Sequence, residues 1–536
     1  MRVAGALGMS DAGDRTYDAI LLGSGHNALV LQAYLAKAGL STLCLERNAV
    51  AGGGLTTVER PAGSGFRHNI HSFFHRGVTQ MPWYRDLEME RHGASYIEPE
   101  LNVALLLSDG RAIEWWTDFD RTADSFAEID AADARALRRW RDDFLPIVAD
   151  ILTREAQAPP VEPAVRRARL ESSAEGRLLL ATSELSPLEF VQREFRHPAV
   201  RAGLLFFNGL REVDLRLPGF GHHIPALLAS VGKAQMCVGG SARLADALVS
   251  AVEETGGRVV TNAEPRRILV EGSRAVGVET TDGVCYRASG LVASSLNPQQ
   301  TLLELLEPGV VPAAWRENAA DFRYNLLAPL FGLYVNLREP PAYAAADGAP
   351  HLNDALMTIV GLDDDARFDD IVESHERGAI PPPVMWGASP TRLDASQAPD
   401  GLHTAFMWEK LPYRLDGDAA NWDAAKEGHG ARMLDVWARY APNLRAAVIE
   451  SFTLSPVDTQ RHLPNMRDGD LLVGAYGHGQ VGYDRPFPGA GHYRTCVDGL
   501  YLCGSCCHPG GNITGLPGHN AAQVILSDFG LAKPGG

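Results

Sequence analysis

Four residues near the start of the chain have the types and spacing of a phosphate site. Gly23, Gly25 and Ala28 follow the GxGxxG pattern with alanine in the third place, and Glu46 stands 21 positions after Gly25. Gly23 permits a tight turn, Gly25 lets backbone approach a pyrophosphate, and Ala28 is small enough for a helix to pack on a strand. A helix starting there aims free N–H groups and a partial positive charge at phosphates lying along Gly23, Ser24, Gly25, His26 and Asn27. Glu46 is placed to accept from ribose hydroxyls. The triplet Gly52-Gly53-Gly54 comes next, where a loop must pass close to the dinucleotide.

A second set of side chains could move protons. Hydride removal from carbon needs a nearby proton acceptor unless the substrate brings a nitrogen lone pair, and histidine suits neutral pH best. In HNIHSFFHRG, His68, His71 and His75 are spaced by three and four, so on a helix they would share one face. The stretch lacks the glutamate of HExxH, and no metal is expected there. His222 and His223 in GFGHHIP follow an apolar patch of Leu204, Leu205, Phe206, Phe207 and Leu210. That patch reads as core, with a substrate-tunnel wall or a membrane-facing mouth as the sharper alternative. Cys503, Cys506, Cys507 and His508 miss the c-type haem spacing by one residue, and no second CxxC completes a zinc site. Seven cysteines, an odd number, fit a reducing cytoplasm, and Cys44 alone in the first fifty residues leaves no dithiol beside the nucleotide motif.

The elements that must hold these groups begin with a βαβ unit. An apolar run over 19–22 breaks at Gly23-Ser24-Gly25. A helical pattern of Leu29, Ala33, Leu35, Ala36 and Ala38 stops at Gly39, and a second run over 41–45 ends on Glu46. A strand pair is predicted over 101–116 with its turn at Asp109-Gly110, and helices over 118–151 and 178–194. After Gly239-Gly240 come a helix from Ser241, the strand RVVTNA and a meander to residue 295. Strands FGLYVNL and TAFMWEKL and an amphipathic stretch over 419–449 precede a last strand, GLYLC, a glycine-rich loop and the helix HNAAQVILSDFG. Nucleotide-type elements thus return twice. The expectation is a discontinuous nucleotide-binding domain (16–72, 239–295 and 491–536), a substrate domain (73–238 and 296–490) and a flexible leader (1–15).

Composition limits the partners. A chain of 536 residues with 45% hydrophobic content can bury a large core. A net charge of −17 argues against nucleic acid, which needs a basic surface. No window holds the ~20 apolar residues of a membrane-spanning helix. A peripheral membrane contact and a homodimer stay open.

GSGHNAL at 23–29, Glu46-Arg47 with Gly52-Gly53, the block over 239–263 and GLYLCGSCCHPGGNITGLPGHNAA at 499–522 together resemble the FAD-dependent oxidoreductases of the phytoene desaturase superfamily. Within it they are similar to the group called pyridine nucleotide-disulphide oxidoreductase domain-containing protein 2. The resemblance implies an α/β fold: a two-domain FAD-dependent oxidoreductase with a Rossmann-type dinucleotide-binding domain and an α+β substrate domain. It also implies extended FAD, with pyrophosphate at Gly23 to Asn27, ribose at Glu46 beside Arg47, the adenine side near Val260, and the flavin ring beside His508, Pro509, Gly510 and Gly511. Gly504 and Asn512 belong to the same loop, Asn512 standing where relatives often have a third glycine.

The function implied is oxidation of an apolar or alicyclic small molecule by hydride transfer to flavin N5, as in desaturases and dehydrogenases. With one nucleotide fingerprint in the chain, electrons are expected to leave for oxygen, a quinone or another protein. The alternatives are a flavin amine oxidase, a carotenoid- or retinoid-type saturase or isomerase, and an FAD-binding assembly protein with little turnover. His508 ranks first for flavin contact; His71, His75, His222 and His223 are the pocket candidates for a base.

Overall fold

The computed structural model describes residues 16–207 and 213–534; the leader and Leu210 of the apolar patch lie outside the described residues. β1 (Thr16–Leu22), α1 (His26–Lys37) and β2 (Thr42–Leu45) form the first unit. β1 sits in a seven-stranded sheet, parallel to β2 on one side and to Cys285–Ser294 on the other. Ala19, Ile20, Leu21 and Leu22 are completely buried, which is why this strand reads as an unbroken apolar run. Arg258–Val260 extends the sheet beyond β2, the antiparallel strands Arg274–Thr280 and Pro265–Glu271 extend it the other way, and Leu500–Leu502 pairs with Cys285–Ser294. One sheet therefore draws its strands from three separated stretches of chain. α1 is buried from His26 to Ala36 and packs against the helices Ala242–Glu254 and Leu516–Asp528. A helix covered on all sides has no reason to be amphipathic.

The second seven-stranded sheet runs in the order Val448–Leu454, Leu330–Leu337, His403–Lys410, Met385–Ala388, Met357–Val360, Leu101–Leu106 and Ala112–Trp116. Strand alternation gives it two faces. Phe331, Leu333, Met385 and Met407 share a core with Trp422, Met433 and Trp437 of the long helix Asn421–Tyr440. Leu330, Trp386, Phe406 and Trp408 belong to a different core on the other face.

Three sequence expectations change. The helix expected over 118–151 is two helices, Phe119–Ile129 and Ala131–Ile147, because Asp118 and Asp130 each turn a carboxylate onto the N–H groups of the next turn. The helix expected over 178–194 is parted before Pro187 by the capping box of Ser186 and Glu189. The histidine-rich stretch is not helical: Arg67–Asn69 pairs with Thr57–Glu59, and His75–Arg76 pairs with Ala234–Cys237. Its histidines consequently take different directions.

Candidate functional site

A cavity of ≈ 320 Å³ opens beside the first βαβ unit and continues to the second sheet. Its polar end is built by the turn from β1 to α1. Gly23 has φ +78°, and a Cβ there would lie 2.9 Å from Ser295 Oγ, so the turn itself demands glycine. Gly25 differs. Its φ is an ordinary −62°, and a Cβ would meet nothing within 4 Å. No atom of the protein requires glycine at 25; the space it leaves belongs to the cavity. α1 begins there without a side-chain cap, so its N-terminus is left open to an anion.

Glu46 shapes the same turn. Its Oε2 accepts from the Ser24 N–H (2.9 Å) and the Ser24 hydroxyl (2.8 Å), and its Oε1 accepts from the Asn48 N–H (2.8 Å). A carboxylate offers about four lone-pair sites, and one remains on Oε1. The C-terminal loop closes over this end: His26 Nε2 donates to Asn512 O at 3.1 Å, and Asn27 Nδ2 donates to Ser505 Oγ at 3.1 Å. Burial holds the His26 pKa down to about 4 despite the Asn512 carbonyl, so the ring is neutral at pH 7.

Two features test the fit of a bound dinucleotide. Asn27 Oδ1 and both ring nitrogens of His71 are buried without hydrogen-bond partners, and both residues line the cavity. Buried polar atoms in native proteins are nearly always paired, so these mark places for ligand atoms. The open helix terminus, the free space at Gly25 and the spare Glu46 lone pair match phosphates and a ribose in the order the chain presents them. The residues present fit such a cofactor.

The far end is apolar. Phe73 and Phe74 pack edge-on against Phe406 and Trp408, and Trp386 lies opposite Trp408 in the strand register. Leu330, Leu471 and Leu472 complete the wall. Lys410, two residues beyond Trp408 on the same face, is 5% exposed; its Nζ donates to Ala328 O at 3.1 Å and lies 5.5 Å from the Trp386 ring centre. Among the described residues that line this end, Lys410 is the one that carries a charge. The sequence reading missed Trp386, Trp408 and Lys410. Their signal was the alternation of Phe406, Trp408 and Lys410 within a strand-like run.

Of the expected cofactor residues, Gly23, Ser24, Gly25, His26, Asn27, Glu46, Arg47, Gly53, Gly54, Gly504 and Asn512 line the cavity. Ala28, Gly52, Val260, Gly510 and Gly511 do not. Ala28 is wholly buried in the core behind the turn. The Gly52 N–H donates to Ser24 O, and the Val260 carbonyl accepts from the Glu46 N–H at 2.8 Å, so both support the wall from behind. Gly510 and Gly511 sit against Tyr476 and Leu472.

Of the five histidines considered as bases, only His71 lines the cavity. Burial and the stacked His462 (5.7 Å) hold its pKa to about 3. His75 is fully buried, with Nδ1 2.9 Å from the Tyr96 hydroxyl. His222 Nδ1 lies 2.9 Å from Ser183 Oγ, with the His223 ring 4.5 Å away. His508, expected beside the ring, instead points its Nε2 at the Glu155 carbonyl (3.0 Å), which ties the loop to the helix Thr153–Ala156. His68 Nε2 bonds Asn336 Oδ1 at 2.8 Å. Among the described residues no group of three or more His, Cys, Asp or Glu is gathered as a metal site.

Fold and site define a mixed α/β oxidoreductase with a Rossmann-type domain for a dinucleotide or flavin cofactor. The NAD(P)-binding Rossmann-like domain family matches residues 22–87. A limonene dehydrogenase polypeptide of Castellaniella defragrans is 29% identical over 533 residues, covering 96% of this chain and 95% of that protein. Pyridine nucleotide-disulfide oxidoreductase domain-containing protein 2 of Mus musculus is 27% identical (96% and 94% covered), and the lycopene-forming phytoene desaturase of Paracoccus sp. is 24% identical (96% and 98%). Among solved structures, cyclohexylamine oxidase from Brevibacterium oxydans shares the fold, with a TM-score of 0.61 at 14% identity over 96% of this chain and 99% of that one. The resemblance to the phytoene desaturase superfamily read from the sequence therefore extends along nearly the whole chain, and the chain is an oxidoreductase. No helix among the described residues is long and apolar enough to cross a membrane.

Proposed function

We propose that this protein binds FAD non-covalently and oxidises an apolar, alicyclic-sized small molecule by hydride transfer from carbon. The observation that carries the reading is the continuity of one cavity between a phosphate-and-ribose end at Gly23–Glu46 and an aromatic end at Phe74, Trp386 and Trp408. The relative named for limonene, a cyclic hydrocarbon, supports the substrate class. Bound FAD would accept the hydride. The chain's own residues supply the rest: the turn and α1 orient the phosphates, Asn27 and His71 offer unpaired polar atoms, and the aromatic wall excludes water.

The carbon that loses hydride must also lose a proton, and no histidine with an ordinary pKa faces the cavity. We therefore assign proton removal to Lys410 or to a water it holds, in place of the five histidines. A cationic amine would meet the Lys410 side chain in the same compartment, which favours a neutral substrate over the amine-oxidase alternative. In this reading residues 16–72, 239–295 and 491–536 form the FAD-binding domain and 73–238 with 296–490 the substrate domain, a division supported by the three-part origin of the first sheet.

The test is denaturing release of the cofactor followed by an anaerobic screen of substrates that bleach the holoprotein. FAD in equimolar amount, bleached by cyclic hydrocarbons, supports the proposal. A nicotinamide cofactor, colour retained on the precipitated protein, or bleaching by amines alone overturns it.

A further inference from the structure

Behind the cavity wall lies a charge that the protein does not neutralise. Arg485 is 0% exposed. Its Nη1 donates to Ala475 O (3.0 Å) and Gln480 O (3.1 Å), and its Nη2 donates to Gly474 O and Ser505 O, both at 3.1 Å. The Tyr476 ring lies 4.6 Å from the guanidinium carbon. Every acceptor is a neutral carbonyl, and among the described residues no carboxylate stands within ion-pair distance. The buried Asp470 nearby is occupied otherwise, accepting from the N–H groups of Asn325, Leu472 and Gly474. A guanidinium buried without a counter-charge costs several kcal/mol, and arginine does not escape that cost by losing its proton. Structural stapling of the loop alone would be served by a neutral donor.

The position indicates what the charge faces. Ser505, whose carbonyl Arg485 holds, lines the cavity, and its hydroxyl accepts from Asn27 at the start of α1. Leu472 and Val473, at the start of the segment that wraps the guanidinium, line the cavity too. We infer that Arg485 is a positioning residue whose fixed positive charge stabilises the negative charge the bound cofactor gains on reduction. The inference rests on the flavin reading above. A hydride leaving the substrate carbon carries two electrons and one proton to the ring, and the substrate's second proton goes to a base. The ring then holds one net negative charge unless solvent adds another proton. With Arg485 behind the wall that second proton is not taken up, so reduction consumes one proton per two electrons.

The experiment is the pH dependence of the holoprotein's reduction potential, measured against a reference dye during anaerobic dithionite titration in mildly acidic buffer, where free reduced flavin binds the second proton. The wild type is expected to show one proton per two electrons. Arg485→Gln, which keeps hydrogen bonding and removes charge, is expected to show two, with an equilibrium constant for reduction at least tenfold lower, about 30 mV for two electrons. Arg485→Lys, which keeps the charge, is expected to retain the one-proton slope. A two-proton slope in the wild type, or a one-proton slope in Arg485→Gln, overturns the inference. If Arg485→Gln fails to fold, the slopes of the wild type and Arg485→Lys still decide. Released cofactor that is not a flavin would instead defeat the functional reading.

Discussion

The two ends of the cavity are built in opposite ways. At the polar end almost every contact is made within one contiguous motif: Glu46 holds Ser24 and Asn48, and Gly52 returns to Ser24. At the apolar end the wall comes from residues 73–74, 330, 386, 408 and 410, which only strand pairing and packing bring together. The polar end recognises groups that every bound dinucleotide presents, so its parts are fixed by geometry. The apolar end recognises shape and lack of charge, and many side-chain combinations can provide that. Cofactor binding and substrate choice should accordingly be separable by mutation.

The largest effect is expected at Gly25. Gly25→Val fills space that no protein atom occupies, so the apoprotein should fold with unchanged thermal stability while FAD affinity falls at least about 100-fold, close to 3 kcal/mol. Gly23→Val should instead lower stability, because of its positive φ and the contact with Ser295. Calorimetry of apoprotein and flavin titration separate the two; equal thermal losses would erase the distinction. Glu46→Ala should weaken FAD retention by about 1–3 kcal/mol, the size of charged hydrogen bonds lost at the turn. Unchanged affinity would remove Glu46 from the site. At the other end, Lys410→Met should leave FAD occupancy intact and slow anaerobic flavin reduction about tenfold, or 1.4 kcal/mol in the barrier. Loss of FAD there would show that the ends are not separable.

A smaller effect follows from the histidines. His26 and His68 are held to a pKa of about 4, and His71 and His75 to about 3, chiefly by burial. Below their ordinary pKa near 6.5 the unfolded chain binds protons that the folded chain refuses. Stability is thus full above pH 6.5 and falls as the solution is acidified, by about 1.4 kcal/mol per pH unit for each such group. His71 has no hydrogen bond to lose, so His71→Gln should flatten the slope of apoprotein stability against pH by one proton; urea melts in the range below pH 6.5 check this. The smallest effect belongs to His508→Gln. Its ring faces the Glu155 carbonyl rather than the cavity, and the rate of flavin reduction should change less than about twofold.

How much the sequence revealed follows the same division. β1, α1, β2 and Glu46 were legible because turn, helix start and acid lie within thirty residues and act through backbone geometry. The return of the C-terminal loop was legible as a motif, but the direction of His508 was not, since its partner is 353 residues away. The histidine stretch looked helical by spacing and became strand because it pairs with distant segments. Trp386 and Trp408 gained meaning only once the register set them opposite one another.

The most direct test of the two-ended cavity uses a charge at its apolar end. Phe74 is half-buried in that wall, and Phe74→Asp places a carboxylate among the aromatic side chains without touching the glycine turn. Anaerobic mixing of the FAD-loaded variant with a monocyclic terpene hydrocarbon, followed by visible absorbance, reads both ends at once. The account predicts full FAD occupancy with bleaching slowed more than tenfold relative to wild type. Bleaching at the wild-type rate, or loss of FAD from the variant, would contradict it.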